Sequence, residues 1–92
     1  MSFAEGILRG KSAIVTGGAT GIGAFIVRKL GSLGANVGIV SRKEENLVAA
    51  VAGFKESDGI DVAWRTGDVR DPEGIKKSFN ELADDIGGID IL

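Results

Sequence analysis

The sequence predicts an α/β fold built on an open, doubly wound parallel sheet. Three observations carry that expectation. Short runs rich in β-branched residues alternate with longer segments whose apolar residues recur at helical spacing, giving β-α-β-α-β-α-β over the 92 residues. Strands that alternate with helices pair in parallel through right-handed crossovers. The first strand enters the first helix through the glycine-rich stretch Thr16-Gly17-Gly18-Ala19-Thr20-Gly21-Ile22-Gly23. The composition, 43% hydrophobic and 26% charged, separates the chain from disordered sequences and allows a buried core.

Met1 to Gly10 reads as a polar lead-in, with Ile7 and Leu8 placed to pack on the sheet edge. Lys11 to Thr16 is the first strand, with Ala13-Ile14-Val15 as its apolar run. The first helix is expected from about Gly21 to Leu33. Its stripe is Ile22, Ile26, Leu30 and Leu33, with Arg28 and Lys29 outside it. Gly34 stands where a helix C-terminal glycine belongs. Asn36 to Ser41 is the second strand, short and β-prone at Val37, Ile39 and Val40. Glu44 to about Ser57 is the second helix, with Leu47, Val51 and Phe54 on one stripe and Asp58-Gly59 as its end. In the third strand, Ile60 to Arg65, the residues Ile60, Val62 and Trp64 alternate.

Asp71-Pro72 opens the third helix, with aspartate as cap and proline at the first helical position. Ile75, Phe79, Leu82, Ala83 and Ile86 form its apolar face, Ser78 reads as a surface residue, and Gly87-Gly88 is the stop. Ile89-Asp90-Ile91-Leu92 begins a fourth strand. No linker, low-complexity segment or long repeat divides the chain. Residues 1–92 therefore read as one domain, incomplete at its C-terminus, since a central parallel strand expects neighbours on both sides.

Several function classes are disfavoured. Net charge is −2 with no basic block, so neither nucleic acid nor an anionic membrane is an expected partner. Without cysteine there is no disulfide or thiolate metal site, and without histidine the commonest metal ligand and general base are missing. No metal site is expected. The first residues lack an apolar core of signal-peptide length, and the longest largely apolar stretch, Leu47 to Phe54, is far short of a membrane span. A soluble, cytoplasmic protein is the plain reading.

The glycine turn carries the chemistry. A helix N-terminus offers unpaired N–H groups and the positive end of its dipole, and glycine lets a phosphate approach the backbone. The spacing is T-G-x-x-x-G-x-G rather than G-x-G-x-x-G. Gly17 turns the chain sharply off the strand, Gly21 keeps the loop clear of the phosphates, and Gly23 lets the helix pack close to the sheet. Candidate pyrophosphate-binding residues are Gly17, Ala19, Thr20, Gly21, Ile22 and Gly23.

Ser41 lies 20 residues beyond Gly21, where the second strand reaches the adenine ribose. A site for NAD would place a carboxylate there. This chain has Ser41-Arg42-Lys43, a hydroxyl and two cations suited to a 2′-phosphate. The two cations also precede a helix N-terminus, where the dipole disfavours them, so a merely solvated face explains them less well. The expected cofactor is NADP(H).

Taken together, the glycine stretch, Ser41-Arg42-Lys43, Gly67-Asp68-Val69-Arg70-Asp71-Pro72 and Gly88-Ile89-Asp90-Ile91-Leu92 resemble the N-terminal part of the short-chain dehydrogenase/reductase family. Within it, the chain is most similar to the 2,4-dienoyl-CoA and trans-2-enoyl-CoA reductases. The resemblance implies a Rossmann-like sheet of which only the first part is present. It implies that the Asp68 carboxylate accepts from the adenine amino group and that the Val69 N–H reaches a ring nitrogen. Asp71 is the better cap for the third helix, which leaves Asp68 free for that contact.

The resemblance further implies an NADP(H)-dependent oxidoreductase that transfers hydride to a carbonyl or enoyl-CoA substrate and forms a homo-oligomer at full length. The family's catalytic Asn, Ser, Tyr and Lys fall beyond Leu92, so no catalytic residue is assigned and these 92 residues alone are expected to be inactive. The alternative is a non-catalytic dinucleotide-binding or redox-sensing module. A methyltransferase on a similar sheet would want an acidic residue where Ser41-Arg42 stands.

Overall fold

A computed structural model describes residues 8–17, 19, 21–68 and 70–88. Three parallel strands, β1 (Ser12–Thr16), β2 (Asn36–Ser41) and β3 (Val62–Thr66), pair in the order β1-β2-β3. The register sets Ile14 beside Gly38 and Gly38 beside Ala63. Helices α1 (Gly21–Ser32), α2 (Glu44–Asp58) and α3 (Pro72–Ile86) alternate with the strands. The α/β, Rossmann-like class expected from the sequence is the one observed. The expected fourth strand at Ile89–Leu92, and Ile7 of the lead-in, lie outside the described residues. Leu8 does pack against the core, and its N–H donates to the Leu33 carbonyl at 2.7 Å.

Both faces of the sheet are covered, which explains the nearly unbroken apolar runs of β1 and β2. Alternate β2 side chains separate two cores. Val37 and Ile39 join Val27 of α1 and Leu47 and Phe54 of α2 on one face. Val40 joins Ile14, Leu82 and Ile86 on the other, under α3. Arg28 ties α1 to α2: its Nε donates to Asp58 at 2.9 Å, and its guanidinium lies 5.4 Å from the centre of the Phe54 ring.

Helix α3 follows its sequence pattern. Asp71 is its N-cap, accepting from the Gly74 N–H at 3.3 Å, with Pro72 in the first turn and Gly87 as C-cap. Leu82 and Ile86 are buried. Ser78, expected at the surface, is buried instead: its hydroxyl donates to the Thr66 carbonyl at 2.6 Å. That bond supplies a partner to the carbonyl ending β3 and removes the reason for the serine to face water.

Helix α1 departs from its pattern. Of the residues expected to form its buried stripe, Leu30 is half-buried and packs against the core, yet Ile22 and Ile26 are 80% and 40% exposed, and Phe25 is 68% exposed. The helix turns a small-residue side to the sheet, where Val27 is fully buried and Gly23, Ala24 and Gly31 are half-buried. Close approach decides the orientation. A Cβ on Gly31 would stand 2.7 Å from Cδ1 of Ile60, a distance no packed interior holds.

Candidate functional site

The C-terminal ends of the three strands converge. The Gly17 N–H donates to the Val40 carbonyl and the Gly67 N–H to the Ser41 carbonyl, both at 2.9 Å. Gly17 and Gly67 thus flank the end of β2 just as it leaves the sheet. Between them opens a cleft of about 360 Å³, lined by Thr16, Gly17, Val40, Ser41, Arg42, Gly67, Asp68 and Arg70. Ligands of open parallel sheets bind at this end. A larger groove of about 810 Å³ runs along β3 between α2 and α3; it is the outer edge of the sheet, away from the C-terminal strand ends, and Lys55 and Asp61 in its lining pair with each other at 2.9 Å.

The floor of the cleft depends on Gly67. A Cβ there would lie 2.8 Å from Cδ1 of Ile75 and 2.9 Å from Cγ1 of Val40. With glycine, the backbone leaving β3 lies directly on Val40. Gly17 takes a left-handed conformation, φ +67°, and so does Gly21, φ +59°, where α1 begins. Their turn aims the N-terminus of α1 at the same end of the sheet. The first turn of α1 carries no acidic residue, whereas α2 starts with Glu44 and Glu45 and α3 with Glu73. The positive end of the α1 dipole is therefore not neutralised by its own side chains.

Cations and a carboxylate share the rim. Arg42 lines the cleft and a neighbouring depression that includes Asp68 and Ser78. Lys43 is the N-cap of α2, in extended conformation and with no side-chain capping bond; it is exposed and outside the cleft lining. Asp68 is not a helix cap, which agrees with its separation from Asp71. It is not free either. Arg70 holds it through Nε and Nη2 and through its own backbone N–H. These bonds, with a smaller contribution from the Arg42 charge, keep the Asp68 carboxyl at a pKa of about 2, and the same pairing raises that of Arg70.

Of the expected site residues, Gly17, Ser41, Arg42 and Asp68 meet in the cleft. Gly21, Ile22 and Gly23 open α1 beside it. Ala19 packs against the core beneath α1 and α2. Thr20 and Val69 lie outside the described residues, as does Gly18. Four lining residues, Thr16, Val40, Gly67 and Arg70, were not among the expected site residues. Gly67 follows β3 directly, a position where only close backbone packing would require glycine. Arg70 stands two residues after Asp68, a separation at which a loop can close an ion pair on itself. Among the described residues, no helix is long and apolar enough to cross a membrane.

Residues 11–92 match the family model of the short chain dehydrogenases. A peroxisomal 2,4-dienoyl-CoA reductase of Arabidopsis thaliana is 34% identical over 90 residues, covering 98% of this chain and 30% of the relative. A short chain dehydrogenase of Pseudocercospora fijiensis is 34% identical over 88 residues, covering 96% and 28%. Among solved structures, L-sorbose reductase of Gluconobacter frateurii, complexed with NADPH and L-sorbose, superposes with a TM-score of 0.82. It is 32% identical, and the match covers 96% of this chain and 34% of that one. The chain thus spans about a third of the length of these proteins. With its matched segment, its parallel sheet and the glycine turn at the strand ends, it belongs to the short-chain dehydrogenase family.

Proposed function

We propose that residues 1–92 form the cofactor-binding portion of an NADP(H)-dependent oxidoreductase. The observation that carries this reading is the meeting of Gly17, Ser41, Arg42, Gly67 and Asp68 in one cleft at the strand ends. The fit to a dinucleotide rests on shape and charge. A Cβ at Gly17 would project into open space at the cleft, the first turn of α1 carries no acidic residue, and Arg42 lines the cleft as a cation for a 2′-phosphate. Gly17, Ala19, Thr20, Gly21, Ile22 and Gly23 would hold the pyrophosphate. Ser41, Arg42 and Lys43 would hold the phosphorylated ribose, and Asp68 and Val69 the adenine.

When bound, the nicotinamide supplies the hydride. The residues of this chain fix the opposite end of the molecule and so orient the ring without taking part in proton transfer. A carbonyl or enoyl-CoA substrate fits the likeness to a 2,4-dienoyl-CoA reductase. Homo-oligomeric assembly and a cytoplasmic location belong to the same reading.

Arg42→Asp tests the cofactor assignment. Removing a charge-assisted contact and adding a repelling carboxylate should weaken NADPH roughly 10- to 100-fold, and NADH much less, in a fluorescence titration. NADPH affinity left unchanged would remove the 2′-phosphate from this site.

A further inference from the structure

The adenine end of the cleft holds a residue that the dinucleotide reading does not use. Asp68 was expected to be free, yet Arg70 covers it. Oδ1 accepts the Arg70 backbone N–H at 2.9 Å and Nε at 3.1 Å. Oδ2 accepts Nη2 at 2.9 Å and, more weakly, Nε at 3.3 Å. A carboxylate has about four acceptor directions. Arg70 therefore engages both oxygens, three of the four contacts coming from its guanidinium. Arg70 lines the same cleft, while 74% of its side chain is exposed, so water can receive the guanidinium if it leaves. The Asp68 side chain is 35% exposed. The backbone N–H bond to Oδ1 does not depend on the guanidinium and keeps the carboxylate aimed after departure.

We propose that Arg70 is a specificity-determining residue that competes with the incoming base for the Asp68 carboxylate. This rests on the reading of Asp68 as the adenine acceptor. A base with an exocyclic amino group must displace guanidinium contacts to reach Asp68. A base without that donor gains nothing by displacing them and leaves Arg70 in place. Arg70 therefore lowers the preference for adenine below what Asp68 alone would give. Because the pair is solvent-exposed, the effect is a moderate one.

The experiment compares NADPH with its purine analogue, in which hydrogen replaces the 6-amino group. Binding of each to the full chain is titrated for wild type, Arg70→Ala and Asp68→Asn. The readout is the ratio of the two affinities. Removing one cation from a cleft that binds phosphates changes both affinities alike and cancels in that ratio. Arg70→Ala should raise the adenine preference about two- to fivefold, the range set by an exposed ion pair. A ratio unchanged or lowered in Arg70→Ala, while Asp68→Asn abolishes the wild-type preference, would overturn the role of Arg70. A ratio unmoved by both variants would instead overturn the assignment of Asp68 to adenine, and the proposal with it.

Discussion

Helix α3 meets its face of the sheet with large side chains, and helix α1 meets the other with Val27 and Leu30 set among small residues. Under α3 the glycine sits on the strand: a Cβ on Gly38 of β2 would come within 3.0 Å of Cδ2 of Leu82. Under α1 the glycine sits on the helix: Gly31 makes room for Ile60, the residue that leads towards β3. Both contacts pair a glycine with a large aliphatic residue, but under α3 the glycine is on the strand and its partner on the helix, whereas under α1 the glycine is on the helix and its partner in the segment between α2 and β3. The consequence is visible in what each helix leaves outside. The apolar residues of α3 are buried or half-buried, whereas α1 leaves Ile22 and Phe25 largely exposed. Hydrophobicity alone orients a helix only when the closest fit and the largest apolar face coincide.

The contrast can be broken first on the α3 side. Leu82 is fully buried, so Leu82→Ala should cost about 2–5 kcal/mol through lost burial and a residual cavity. That is a large share of the roughly 5–15 kcal/mol available to a domain. Equilibrium denaturation with urea measures it, and a loss below 1 kcal/mol would mean that Gly38 and Leu82 are not packed as described.

On the α1 side the sign of a glycine substitution is the sharper test. Gly31→Ala gains up to about 1 kcal/mol in helix propensity but forces Ile60 to move, at about 1–3 kcal/mol, so the net should be destabilising. Gly53 in α2 is the control, because a Cβ there meets nothing within 4 Å. Gly53→Ala should stabilise the chain by about 0.5–1 kcal/mol. Equal signs for the two substitutions would show that close approach does not set the orientation of α1.

The same contrast explains what could be read from the sequence. Helix α3 was legible because its cap, its Pro72 and its apolar face are each local signals. The parallel pairing of the strands followed from alternation, and the cleft from the glycine turn and Ser41-Arg42. The inner face of α1 was not legible, because Gly31 contributes nothing to a periodicity of apolar residues; its reason lies in Ile60, distant in sequence. Ser78 was misread for a related cause: its partner is the Thr66 carbonyl, 12 residues back, and no pattern within one helix reveals it. At the site, Asp68 was correctly separated from the capping Asp71. Its capture by Arg70 depends on the path of the loop after β3, which composition does not encode.

The smallest expected effect concerns the outer side of α1. Phe25 is 68% exposed, so Phe25→Ser removes a ring that mostly faces water. The expected change in the stability of these 92 residues is within about 0.5 kcal/mol, as for an ordinary surface position. The substitution is informative because of its neighbours. Ile22, Phe25 and Ile26 together form an apolar strip beside the start of the cleft, and such strips are commonly covered by further protein. A loss of 1 kcal/mol or more in a longer form of the protein, with none in the 92-residue chain, would mean that additional chain seats on this strip. The orientation of α1 would then follow from two buried sides, a small one against the sheet and a large one against that cover. The same small loss in both forms would leave close approach at Gly31 as the sole determinant.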